Sequence, residues 1–154
     1  MTKEEFKQFC HEEFTKYGFQ KCRGMYYRKS SMGLLCGLYL QGGYHYYYVN
    51  CYYYIGKFTG RNAYPGQYDF DLYRRPIRVL SKDTYQGKPF MDAMIDYRQY
   101  DREELKPWFD TAFAEIVLPP LERGKQELLA HFDEWVTPLS GEKTREFVLE
   151  KLAE

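Results

Sequence analysis

The chain has 154 residues, 44% of them hydrophobic and 29% charged, and its formal net charge is zero. That is the length of one domain and an ordinary globular mixture, so disorder and collagen-like repeats are excluded, and overall charge gives no pull toward nucleic acid or membrane. The unusual figure is aromatic content, 19%, with 17 Tyr and 11 Phe.

Thr2 ahead of Lys3-Glu4-Glu5 is a capping-box pattern. Phe6, Phe9, Cys10 and Phe14 follow at helical spacing, and Gly18 suits the position just past a helix end. These residues predict a helix over 3–17. The period then shortens. A strand is expected over 19–29 and another over 34–41, where Leu34, Cys36, Leu38 and Leu40 alternate with Leu35, Gly37 and Tyr39. Gln41-Gly42-Gly43 reads as a turn, and residues 44–55 are the strongest strand, being aromatic and β-branched almost throughout. Short turns between these strands predict an antiparallel meander.

Period two divides the third strand into faces. His45, Tyr47, Val49, Cys51, Tyr53 and Ile55 form the core face, and Tyr44, Tyr46, Tyr48, Asn50, Tyr52 and Tyr54 form the other. Residues 56–76 read as a long surface connection, 77–80 as a short strand, 81–89 as a loop and 91–97 as a last strand. Asp101-Arg102-Glu103-Glu104 repeats the capping pattern and opens a helix over 102–118 with Pro107 inside it. Pro119-Pro120 ends that helix and starts another over 120–135. Ser140 caps a last helix over 141–152. The expected fold class is α+β: a single domain over 1–154, with one antiparallel sheet of four or five strands and helices mainly on one face.

Charge is unevenly spread: residues 1–18 carry −1, 19–88 carry +8 and 89–154 carry −7. An acidic helical layer answering a basic sheet accounts for this, and a basic face for an anionic partner is the sharper alternative. No stretch approaches the ~18–20 apolar residues of a membrane span. The N-terminus has acids where a secretion signal has bases, which predicts a cytoplasmic protein. Cys10, Cys22, Cys36 and Cys51 have no Cys-x-x-Cys spacing, and His11, His45 and His131 are scattered, so no metal site and no cofactor is expected.

Two groups carry possible chemistry. Asp69-Phe70-Asp71 places two carboxylates on one side of an extended segment, where they can hold Mg²⁺ or do acid–base work; a solvated loop is the plainer reading. The second group is the row Tyr44, Tyr46, Tyr48, Asn50, Tyr52 and Tyr54 with Arg23, Arg28, Arg74, Arg75 and Arg78. Arginine forks fit phosphates and carboxylates, and tyrosines stack on bases or anchor protein interfaces. The same row also fits a buried layer beneath helices, or a small-molecule pocket.

Three segments together carry a resemblance: Tyr17-Gly18-Phe19-Gln20-Lys21 with Tyr26-Tyr27-Arg28, then Leu38-Tyr39-Leu40-Gln41, then Tyr48-Val49-Asn50. With the acidic helix leading to Leu118-Pro119-Pro120-Leu121, they resemble the bacterial domain-of-unknown-function family 4304 over most of residues 3–135. The resemblance brings no catalytic residues with it. Through relatives of this general kind it implies an immunity protein of a bacterial toxin system.

The expected function is therefore non-enzymatic binding of another protein, of the immunity or anti-defence type, through the tyrosine face and the Arg74–Arg78 loop. Binding of a nucleotide or nucleic acid by the same face is the alternative. A small metal-dependent hydrolase using Asp69 and Asp71 comes third.

Overall fold

The computed structural model describes residues 1–56, 64–137 and 144–154. Helix α1 (Lys3–Lys16) starts at Thr2, whose Oγ1 accepts the Glu5 N–H at 3.1 Å. It ends where Gly18 takes φ +87°, a region that favours a residue without Cβ. Phe6, Phe9, Cys10 and Phe14 are buried, as one apolar stripe requires.

The main sheet is antiparallel. Strands β1 (Gln20–Cys22), β2 (Met25–Lys29), β3 (Leu34–Gly42), β4 (Tyr46–Ile55) and β5 (Leu72–Arg74) are hydrogen-bonded in that order. Strands β6 (Val79–Tyr85) and β7 (Lys88–Asp92) pair only with each other, and β8 (Ile95–Asp96) returns to β4 at Tyr46 and Tyr47. The antiparallel sheet with helices is as expected, and a small two-stranded sheet, β6–β7, stands in addition to it.

Other boundaries differ for physical reasons. The expected strand over 19–29 folds back on itself at Arg23 (φ +53°) and Gly24 (φ +85°), giving the β1–β2 hairpin. Gln41 and Gly42 extend β3, whereas Tyr44 and His45 lie in the turn before β4. The connection over 56–76 contributes β5. Residues 81–89, read as a loop, and 91–92, read as the start of the last strand, belong to the β6–β7 hairpin.

The helix expected over 102–118 is α2 (Arg102–Ala112), continued by a π-helical turn (Phe113–Val117) into α3 (Leu118–Arg123). Pro119 and Pro120 have no N–H to bond back, so the ladder widens ahead of them. Gly124 (φ +90°) then separates α3 from α4 (Lys125–Ala130), so no helix runs unbroken over 120–135. The last helix, α5 (Arg145–Ala153), is capped by Thr144, whose Oγ1 accepts the Phe147 N–H; Ser140 lies outside the described residues.

Helices cover the inner sheet face. Phe6, Phe14, Phe109, Phe113 and Val117 meet Leu38, Val49, Cys51 and Tyr53 in one buried cluster. A second, smaller core sits on the outer face, where Met25, Tyr27, Leu35, Tyr52 and Phe70 pack together. Among the described residues no helix is long and apolar enough to cross a membrane.

Candidate functional site

The alternation of β4 holds: Tyr47, Val49, Cys51, Tyr53 and Ile55 are buried on the inner side. The expected tyrosine row, however, is not one surface. Tyr52 is only 5% exposed, because Phe70 folds over it with ring centroids 5.3 Å apart, so this ring belongs to a buried layer and not to an open face. Phe70 fits there because Gly37 lies opposite Tyr52; a methyl at Gly37 would come within 2.7 Å of Phe70 Cζ. Tyr27 joins this cover, stacking on Tyr64 at 4.5 Å and donating its hydroxyl to the Pro65 carbonyl. Tyr54 is half-buried beneath the Lys151 ammonium, and Tyr44 stands 90% exposed in the β3–β4 turn.

The other half of the face carries a polar cluster. Asn50 is buried, and its Nδ2 donates to Gln41 Oε1 at 2.8 Å and to the Tyr52 hydroxyl at 3.0 Å. Arg75 Nε donates to Asn50 Oδ1 at 3.1 Å, and its Nη2 donates to Gln41 Oε1 at 3.4 Å. The guanidinium stacks on the Tyr48 ring 3.8 Å from its centroid, and Tyr46 meets Tyr48 edge-on at 5.8 Å. Tyr46, Tyr48 and Arg75 are half-buried and Gln41 is exposed. Arg75 makes no ion pair among the described residues, so the Nη1 edge of its fork is left for a ligand.

The other arginines go elsewhere. Arg74 pairs across from Cys51, so its side chain takes the inner side, where it meets Glu134 at 3.2 Å. Arg28 lies opposite Cys36, and its Nη1 donates to the Tyr17 carbonyl at 2.8 Å, closing the end of α1. Arg23 sits in the β1–β2 turn and Arg78 is exposed beyond β5. The basic stretch and the acidic helices do meet, as in Lys82–Glu104 at 2.8 Å.

Asp69 and Asp71 are not a matched pair. Asp69 is exposed, and its Oδ2 accepts the Gly66 N–H within a turn. Asp71 is fully buried; its Oδ2 accepts the Ile55 N–H at 2.7 Å and lies 3.5 Å from Lys151. Among the described residues no group of three His, Cys, Asp or Glu side chains is placed to hold a metal ion.

Gln41 and Gln67, the latter accepting from the Tyr52 hydroxyl at 3.3 Å, were absent from the sequence-based set. Strand parity carries a signal for Gln41, since it falls on the same side of β3 as Tyr39. Nothing local marks Gln67. No family model, curated protein or solved structure matches the chain.

Proposed function

We propose that the protein is a non-enzymatic binding module whose partner is another protein, engaged by Tyr46, Tyr48, Gln41 and Arg75. The observation that carries this is the Arg75 guanidinium, stacked on Tyr48 and held by Asn50 and Gln41, with one fork edge left over. Such a fork accepts a carboxylate bidentately, and its fixed geometry reduces the ordering cost of binding. Tyrosine and arginine are also the residues that anchor protein interfaces. The recognised group is an acidic side chain or a chain-terminal carboxylate. In the immunity or anti-defence setting that the resemblance implies, it belongs to a toxin or defence protein.

The phosphate-tracking alternative is weaker on this face. A nucleic-acid surface needs several cations along the backbone path. Here Arg28 and Arg74 turn to the other side of the sheet, which leaves Arg75 as the arginine beside the open tyrosines.

The test is retention of partners by immobilised protein against an Arg75→Glu variant, in lysate of the source cell. The reading expects a protein bound by the wild type and lost by a variant that remains cooperatively folded. Identical retention by both would refute it.

A further inference from the structure

A cleft of about 630 Å³ opens between α1 and the end of the β2–β3 pairing. Arg75, Asn50 and Gln41 do not line it. One wall is a stripe of α1, where Glu4, Lys7 and His11 fall three or four residues apart and so point the same way. The opposite wall is the β1–β2 hairpin, with Lys21 and Tyr26. The pairing of β2 with β3 stops at Tyr26–Leu38, so Leu40 runs on past it and, on the inner face with Tyr26 and Tyr47, supplies an apolar surface between the walls. The volume is in the range of small-molecule sites.

The chemistry of the walls is cationic. Lys7 Nζ lies 5.8 Å from the Tyr47 ring centroid and Lys21 Nζ lies 5.9 Å from that of Tyr26. Neither lysine makes an ion pair among the described residues, and Glu4 is the one carboxylate in the lining. His11 Nδ1 is 2.8 Å from the Tyr26 hydroxyl. Burial pushes the Tyr26 phenol up, so it keeps its proton for that bond. In the tautomer whose Nδ1 accepts from the phenol, the ring N–H is at Nε2, which can donate to a ligand.

We propose that this cleft binds a small phosphate monoester carried on a planar ring, with Lys7, Lys21 and His11 on the phosphate and the ring against Leu40, Tyr26 and Tyr47. Two point charges and a third donor, supplied from both walls, match the terminal oxygens of a phosphate better than the two oxygens of a carboxylate. The ring is required by the apolar floor, which a bare inorganic anion would leave uncovered. The site is separate from the Arg75 cluster and does not rest on the function proposed for that cluster.

Phenyl phosphate is the probe, titrated at low salt and followed by calorimetry or by amide chemical shifts. Saturable binding with Kd ~1 mM or tighter is expected, with inorganic phosphate weaker and phenol inert. Lys7→Gln with Lys21→Gln should raise Kd about tenfold or more, equivalent to about 1.4 kcal/mol, and His11→Gln should raise it less. Both lysines are exposed, so the paired variant should keep the wild-type melting temperature. Arg75→Glu should leave phenyl phosphate binding intact. The proposal is overturned by absence of saturation, by equal binding in the lysine variant, by inorganic phosphate binding as tightly as the phenyl ester, or by loss of binding in Arg75→Glu.

Discussion

The guanidinium of Arg75 lies 3.8 Å from the centroid of the Tyr48 ring, while Asn50 Oδ1 accepts from its Nε. Ring and amide together fix both the plane and the rotation of the fork. Lysine offers neither a plane nor a paired edge. Arg75→Lys is therefore expected to lose the retained partner nearly as fully as Arg75→Ala. Either change should cost folding only about 0.5–1 kcal/mol, because a half-exposed cation on a ring contributes little to stability. Urea midpoints and partner retention, measured on the same preparations, check this. A large fall in the midpoint would mean that Arg75 is a structural residue.

The outer core depends on one close approach. Phe70 is fully buried above Gly37, so truncating Phe70→Ala should destabilise by ~3–5 kcal/mol. Gly37→Ala pushes a methyl into the Phe70 ring and should cost ~1–3 kcal/mol by overpacking. If the cover works as described, the two effects should not add: in Phe70→Ala the closest clash is gone and the methyl at Gly37 meets only the flexible end of Met25 at 3.2 Å, so its cost should fall. Denaturant unfolding of the single and double variants measures the coupling, and simple additivity would contradict the contact.

This contact shows where the sequence is readable and where it is not. Period two identifies Val49 and Ile55 as inner and Tyr46 and Tyr48 as outer, because alternation is a property of the strand alone. The cap at Thr2 and the break after Tyr17 are also local, and they appear as expected. The burial of Tyr52 is not local. It depends on Phe70, eighteen residues along, reaching back over Gly37, and no pattern within β4 contains that. The arginines fail for a related reason. Parity separates Arg74 from Arg75, but which of them joins the tyrosines depends on the β4–β5 register, set by tertiary pairing. The hairpin at Arg23-Gly24 is hidden because residues on both sides of it favour strand and Arg23 is an unusual residue for positive φ.

The cysteines separate by environment. Cys10, Cys36 and Cys51 are buried and Cys22 is only partly so. Burial pushes the Cys10 and Cys51 thiols well above their ordinary range, and the Cys36 sulfur 3.6 Å away adds to the shift at Cys51. The thiolate is the reactive form, so native protein treated with iodoacetamide near neutral pH should be labelled first and chiefly at Cys22. Mass spectrometry should find the other three modified only after denaturant is added. Early labelling of Cys36 or Cys51 would show that the inner core opens far more readily than its packing implies.

Alkaline pH should destabilise the fold through its buried phenols. Burial pushes Tyr52 up to about 12, and burial followed by the hydrogen bond to Asp110 does the same for Tyr17. In the unfolded chain both ionise near 10. Above about pH 10 the unfolded state therefore binds fewer protons than the folded one, and the unfolding free energy falls as pH rises. Their contribution is unchanged below about pH 10 and is progressively lost as pH approaches about 12. Tyr52→Phe removes one of these protons from the balance. It lowers stability at neutral pH, since Asn50 and Gln67 lose their hydroxyl partner, yet it should reduce the decline between about pH 10 and pH 11.5 by one proton's worth of slope. Urea midpoints for both proteins across that window measure the difference in slope. Parallel curves would mean that the Tyr52 hydroxyl is solvated in the native state, and that Phe70 does not seal the outer face over it.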